Sequence, residues 1–197
     1  MPGRIGKRSS TYRAPSWSWA SVDGPTMHRL QWPDSRPMPL IDEGWISAST
    51  EYYGTLETGQ VMGGRLEIRG FWTRVHVASP VADSYDGVIQ YFSHPLTAEK
   101  FDLPHLDRDS SYSITFDDPN DMPEEAFCMP LFLRDRPHID KTSLIDILGI
   151  VLVQVEKEGG LYTRVGLLTA YGCFKGNELD RAQAFLAQFE KSQVIVV

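Results

Sequence analysis

The sequence predicts an all-β protein, an antiparallel barrel or sandwich with one C-terminal α-helix. Three observations predict it. Many short segments alternate apolar and polar residues, as strands with one buried face do. The 16 glycines and 13 prolines interrupt these segments at short intervals. One segment near the end has helical periodicity instead. We expect a flexible, basic N-terminus over residues 1–11 and a single β-rich domain over residues 12–197.

The first predicted strands contain much of the tryptophan. In "PSWSWAS" the alternation places Trp17 and Trp19 on one strand face, and Asp23-Gly24 then forms a turn. We expect that the two tryptophans anchor the core. Residues 25–40 contain four prolines and are predicted to be a loop. "EGWISASTEYY" alternates again, with Trp45 on one side and Ile46 on the other.

The middle of the chain contains further strand patterns. Gly63-Gly64 precedes "RLEIRG" and "FWTRVHVA", and "GVIQYF" is a short strand over residues 87–92. Residues 102–125 are predicted to be a loop with "YSITF" as a short strand. "AFCMPLFL" is predicted to be a strand broken by Pro130.

The C-terminal third predicts a hairpin, a helix and a last strand. "IDILGIVLVQVEKEGGLYTRVGLLTAYG" indicates a long hairpin that turns at residues 158–160, and its apolar runs indicate strands buried on both faces. A helix is predicted from Glu178 to Lys191, capped by Asn177. Its apolar face comprises Leu179, Ala182, Phe185, Leu186 and Phe189. "VIVV" closes the chain as a strand.

Composition restricts the class of partner. The net charge is -7 and the pI is about 5.2, which argues against nucleic acid and anionic membranes. No apolar run approaches the roughly 20 residues that a membrane-spanning helix needs, and no apolar stretch follows the basic N-terminal residues as in a signal peptide. Cys128 and Cys173 lie far apart and do not form a disulfide framework, so a reducing, cytoplasmic location is expected.

No motif for a cofactor or a metal is present. The five histidines lie too far apart to form a local metal site. The segment Asp107 to Asp118 resembles a calcium loop in part, but Tyr112 replaces the required glycine and Asp118 the bidentate glutamate. We therefore expect an acidic surface loop and no metal. Cys128 lies in an apolar segment that raises a thiol pKa and makes the residue inert.

The stretch "YRAPSWSWASVDGP" closely resembles the motif that follows the heterokaryon-incompatibility (HET) domain in fungal HET proteins. "GGRLEIRG", "FCMPLFL", "GIVLVQV" and "GGLYTRVG" resemble the β-rich C-terminal region of those proteins, in the same order. The resemblance implies a module that corresponds to this region and lacks the HET domain proper. It supplies no catalytic residues.

Two hypotheses for the function follow. The first is a cofactor-independent cyclase of fungal secondary metabolism, a pericyclase that catalyses a reaction such as an intramolecular [4+2] cycloaddition. Such a reaction needs an aromatic-lined cavity and a hydrogen-bond donor, and no nucleophile or metal. The second is a non-catalytic interaction or regulatory module related to HET proteins. We favour the enzyme, because a module without the HET half is expected to have an independent role.

The enzyme hypothesis predicts a type of ligand and a set of binding and catalytic residues. The partner is an apolar small molecule, and the sequence allows a homo-oligomer. The expected substrate-binding aromatics are Trp45, Tyr52, Tyr53 and Trp72. The candidate catalytic donors are Arg69, Arg74 and His76. His76 alternates with valines, so it faces either solvent, which we favour, or the inside of a barrel.

Overall fold

The computed structural model describes residues 7–8, 12, 14–18, 21–23, 37–41, 46–53, 61–76, 111–118, 123–137, 143–155, 160–175, 186 and 189–197. These residues form ten strands. In chain order they are β1 (Lys7–Arg8), β2 (Val22–Asp23), β3 (Pro37–Pro39), β4 (Ile46–Tyr52), β5 (Val61–His76), β6 (Ser111–Phe116), β7 (Glu125–Pro137), β8 (Ser143–Gln154), β9 (Leu161–Lys175) and β10 (Glu190–Val196).

Five of the strands close a barrel. The order is β7-β8-β9-β10-β5, and a further pairing of β5 with β7 completes the ring. Neighbours are antiparallel except β9 and β10, which are parallel. The all-β prediction is therefore confirmed, and of the two predicted architectures the structure has the barrel.

Three strands of the ring, β5, β7 and β9, also pair with strands outside it. β5 pairs first with β4 and, over Thr73–His76, with β7. β7 then pairs with β3, and β9 pairs with β6 after it leaves β10. Because pairing partners change along these strands, β3, β4 and β6 are attached outside the closed ring.

Alternation along the barrel strands separates two apolar cores. The first fills the barrel and has buried members from every strand of the ring, together with Ile41. Its members on the ring are Ile68, Met129, Ile150, Leu152, Tyr162, Val194 and Val196. The second lies on the outer face and comprises Val75, Phe116, Ala126, Cys128, Val151 and Leu168. The predicted burial of the β8–β9 hairpin on both faces follows from these two cores.

A bulge in β7 corrects one sequence prediction. Pro130 does not break the strand, which runs continuously from Glu125 to Pro137. The register with β8 shifts between Pro130 and Phe132, so Leu131 is the extra residue. A bulge lets a strand accommodate proline and bend without ending. Gly149 lies opposite Pro130, where the two backbones approach closely.

The N-terminal tryptophan motif also differs from its prediction. Residues 14–18 form turns and not a strand, with the Ser18 amide bonded to the Pro15 carbonyl. Hydroxyls compete for backbone partners in such segments and favour turns over ladders. Trp17 is half-buried and packs against the core inside the barrel, whereas Trp19 lies outside the described residues. Pro37–Pro39, predicted to be loop, forms β3 on the edge of the sheet, where proline is tolerated.

The C-terminal helix is not confirmed. Leu186 is helical and buried, but the other residues from 177 to 188 lie outside the described chain. Glu190 and Lys191, the predicted last residues of the helix, belong instead to β10. The pairing of this segment with β5 outweighs its local helical periodicity. The predicted strand at 87–92 also lies outside the described residues, whereas "YSITF" is confirmed as part of β6.

The close approach at Gly149 gives a first prediction. A Cβ atom at this position would overlap the Met129 carbonyl oxygen and lie 3.0 Å from its carbonyl carbon. Gly149→Ala should therefore lower the free energy of unfolding by about 1–3 kcal/mol, as overpacking does, in urea denaturation. Gly70→Ala is the matched control, since its Cβ would meet only Met129 Cε, at 4.0 Å. Equal losses in the two variants would contradict the assigned backbone clash.

The buried thiol gives a second prediction. Burial raises the pKa of Cys128 above its usual value of 9.0, so the folded chain keeps a proton that the unfolded chain loses. The resulting stabilisation is complete below about pH 9 and is lost as the pH rises. Between pH 9 and pH 11, the free energy of unfolding should fall less steeply in Cys128→Ala than in the parent, by about 1.4 kcal/mol per pH unit. Parallel slopes would show that the thiol titrates normally.

Candidate functional site

Three aromatic rings from three barrel strands form one cluster. Trp72 of β5 stacks on Phe127 of β7, with ring centroids 4.7 Å apart and planes at 18°. Tyr162 of β9 meets both rings edge-on, at 5.5 Å from Trp72 and 5.6 Å from Phe127. Offset-stacked and edge-to-face arrangements of this kind are the favoured geometries of aromatic pairs. We call these three residues the aromatic cluster.

Strand alternation and register bring the cluster together. Trp72 follows Ile68 at even spacing on β5 and therefore faces the barrel interior, as Phe127 does beside Met129 on β7. Phe127 lies opposite Arg74 on one side and Leu152 on the other. Tyr162 enters from the start of β9, where it is only 6% exposed. Trp72 and Phe127 are half-buried, so the cluster reaches solvent on their side.

The indole N–H of Trp72 is the unusual feature of the cluster. Its Nε1 atom is buried and has no hydrogen-bond partner. Leaving a buried donor unsatisfied costs about 1–3 kcal/mol, and such groups are rare in folded proteins. Trp17, which packs on the same core, has a second unsatisfied indole N–H. The cluster therefore holds a buried donor that no protein group uses.

Charged residues surround the aromatic cluster. Arg74 Nη2 donates to Glu125 Oε2 on the same face of β5 and β7, and both side chains are exposed. Glu190 of β10 lies opposite Trp72 in the register and is also exposed. Burial, and secondarily the charge of Glu190, raise the pKa of Tyr162. The Tyr162 hydroxyl therefore keeps its proton at neutral pH and is a second candidate donor.

The residues predicted from the sequence lie in different places. Trp72 belongs to the aromatic cluster, and Arg74 lies beside it. Arg69 has the opposite parity on β5 and lies opposite Gln193 on the outer face. His76 ends β5 opposite Glu125, and its side chain is outside the described part of the structure, as is Trp45.

The two predicted tyrosines lie far from the cluster. Tyr52 is opposite Val61, the first residue of β5, and Tyr53 is 72% exposed. Val61 and Trp72 are roughly 35 Å apart along the strand at about 3.3 Å per residue. The structure therefore does not bring Tyr52 and Trp72 to one site.

Sequence reasoning missed Phe127 and Tyr162. Both lie on strand faces that point into the barrel, and in "AFCMP" Phe127 has the same parity as the interior residue Met129, so a signal was present. The missing information was which strands become neighbours, because β5 and β7 pair across a long stretch of intervening chain.

Other reactive groups do not form a site among the described residues. Within that part of the chain, no group of three or more His, Cys, Asp or Glu side chains is placed to hold a metal ion. Cys128 is 2% exposed and lies in the outer core, where burial raises the pKa of its thiol. No helix in the described ranges is long and apolar enough to cross a membrane.

No protein-family model, curated protein or solved structure matches this chain. The resemblance to fungal HET proteins therefore stays a prediction. The geometry of the site is the basis on which a function is argued.

The unsatisfied donor gives a third prediction. Trp72→Ala should lower the free energy of unfolding by about 3 kcal/mol, at the lower end of the range for large aromatic residues, because the ring is half-buried. Trp72→Phe should cost much less, since it retains a ring against Phe127 and removes an N–H that has no partner. Urea denaturation measures both. A cost for Trp72→Phe as large as for Trp72→Ala would show that the N–H forms a hydrogen bond in the native state.

Proposed function

We propose that the protein binds a largely apolar small molecule at the aromatic cluster and promotes its cyclisation without a cofactor. The observation that carries the proposal is the buried Nε1 donor of Trp72, which has no protein partner and lies in an apolar, aromatic setting. Ligand sites typically combine apolar walls with a few polar groups that fix orientation. In this proposal the hydrogen-bond donor to the substrate is Trp72, and not the arginine or His76 expected from the sequence.

An intramolecular [4+2] cycloaddition fits these residues. Two carbon–carbon σ bonds form, three π bonds become one, and no proton or electron leaves the substrate. Trp72 Nε1 donates to a carbonyl on the alkene partner and stabilises the charge that develops on that oxygen. The face of Phe127 that is not stacked on Trp72 and the edge of Tyr162 hold the folded chain near its reactive shape.

The polar groups next to the aromatic cluster add little net charge to the proposed site. Arg74 is held by Glu125, so the two charges largely compensate each other. The neutral hydroxyl of Tyr162 donates without bringing a formal charge into the site. Following the resemblance and the composition, we further propose a cytoplasmic protein of fungal secondary metabolism.

The fourth prediction tests this activity. The purified chain is incubated with linear polyenes that carry a conjugated carbonyl, including the precursors produced by neighbouring biosynthetic genes. The cyclised isomer should form faster than in buffer. Trp72→Phe should slow turnover by about 10²-fold, as the loss of one transition-state donor does, while Phe127→Ala should weaken binding and broaden the product distribution.

Tyr53→Phe is the matched control, because it removes a polar group from an exposed aromatic far from the cluster. It should leave the rate unchanged. Cyclisation at the buffer rate with every such precursor would contradict the enzyme. Equal activity in Trp72→Phe and the parent would contradict the assigned donor.

The second hypothesis, a non-catalytic interaction module related to HET proteins, is favoured by a different observation. Three exposed apolar side chains lie near the start of β5, namely Tyr52, Tyr53 and Met62. Exposed apolar groups that lie together mark interaction surfaces. This hypothesis predicts no rate enhancement for any precursor.

A further inference from the structure

β4 is a sheet edge with unusual exposure. Among the described strands it pairs with β5 alone and ends the strand order of the sheet. Six of its seven residues are exposed, and Thr50 is half-buried. Among the described residues, no strand pairs with its outer backbone groups, which could accept a further strand.

The sequence of β4 itself carries little of the usual protection against pairing, and the bulge at this edge lies in β5, opposite Glu51 and Tyr52. Natural edge strands are protected by lysine, by proline, by charges that point inward or by being very short. The sequence of β4, "ISASTEY", has seven residues, no proline and no lysine, and its only charge is Glu51. Threonine, isoleucine and tyrosine favour extended structure at three of the positions.

We propose that β4 pairs in antiparallel fashion with β4 of a second copy of this chain, about a two-fold axis at Ser49. Ser49 is the centre of β4, so this is the only antiparallel register that pairs all seven residues. Opposite residues in such a pair share a sheet face, as the continuous sheet requires.

The register pairs apolar with apolar residues at its ends and brings no like charges together. Ile46 of each copy lies opposite Tyr52 of the other, which gives two β-branched–aromatic cross-strand pairs. Ala48 lies opposite Thr50 on the same face. Glu51 lies opposite Ser47, so the single charge of the strand does not meet its own copy.

Exposed apolar groups next to β4 extend the contact. Tyr53 is 72% exposed, Met62 53% and Tyr12 44%. Met62 is the extra residue of the β5 bulge opposite Glu51 and Tyr52, and the charge of Glu51 contributes to the raised pKa of Tyr12. These side chains thus lie near the Tyr52 end of β4, beside the place where Ile46 of the second copy would pack.

The interface is small, because one pair of seven-residue strands forms its centre. We therefore expect a weak dimer whose monomer–dimer equilibrium shifts over the micromolar range. The dimer contact uses none of the three residues of the aromatic cluster, and of the β4 residues only Ile46, opposite Ile68, lies toward the Trp72 end of β5.

Two lysine substitutions on the same face of β4 test the proposal by sedimentation equilibrium of the full chain. Ser49→Lys places two lysines opposite each other at the two-fold axis and should weaken the dimer at least about fivefold, since directly opposed like charges destabilise a pair. Ser47→Lys is the matched control. It places each lysine opposite Glu51 of the other copy and should leave the dimer unchanged or tighten it.

Both serines are exposed, but in the chain's own sheet Ser49 lies opposite Arg65 and Ser47 opposite Glu67, so circular dichroism and urea denaturation of each variant check that β4 stays folded. Ser47→Glu, which opposes Glu51, should weaken the dimer as Ser49→Lys does. A parent chain that is monomeric throughout the micromolar range would overturn the proposal. So would a dimer that Ser49→Lys leaves intact, or one that both lysine substitutions weaken equally.

Discussion

The fold depends on the insertion of β10 between β5 and β9. Seven residues of β10 pair with β5 in antiparallel register, from Glu190 opposite Trp72 to Val196 opposite Leu66. On its other side β10 runs parallel to β9, and the Val197 amide extends this contact by donating to the Tyr162 carbonyl at 2.8 Å. Without β10, β5 and β9 would each present an open edge, and the interior core would lose Val194 and Val196. The closed ring thus joins the last described strand to two strands from earlier in the chain.

Burial on both faces of the barrel wall constrains the polar groups within it. Two arginines lie almost fully buried, and each faces a carboxylate. Arg134 Nη2 donates to Asp146 Oδ2 at 2.7 Å, and Arg164 forms a bidentate pair with Asp117, at 2.9 and 3.2 Å. Replacing one member of such a pair leaves an uncompensated buried charge, which costs about 3–5 kcal/mol. Ser16 adds a link to the N-terminal motif, since its hydroxyl accepts from the Arg164 amide and donates to the Val197 carbonyl.

Alternation and glycine positions in the sequence predicted individual strands and the β8–β9 hairpin. They did not predict which distant strands pair to close the ring. The β8–β9 hairpin and most of the strands after Gly63 followed from alternation and glycine placement, because both act within a few residues. Ring closure did not follow, since the β5–β7 and β5–β10 contacts join distant parts of the chain. Because strand pairing was not predicted, only one residue of the aromatic cluster was found from the sequence. Trp72 was found from its own strand, but its neighbours Phe127 and Tyr162 are defined by which strands meet. At Glu190 and Lys191, pairing with β5 gives a strand where the local pattern predicted the end of a helix.

The three rings of the aromatic cluster lie on strands of the closed ring, so the barrel itself fixes their positions. Trp72 is fixed by its stack on Phe127 and by its edge contact with Tyr162, and each ring projects from a strand of the closed ring. A donor mounted on strands keeps its direction better than one on a loop. The folded protein without a ligand therefore already bears the unfavourable free energy of burying the Trp72 N–H without a partner. Because Nε1 is buried, an acceptor would reach it only where neighbouring groups move aside, and the strands would then keep the donor in a fixed direction, as stabilisation of a developing charge requires.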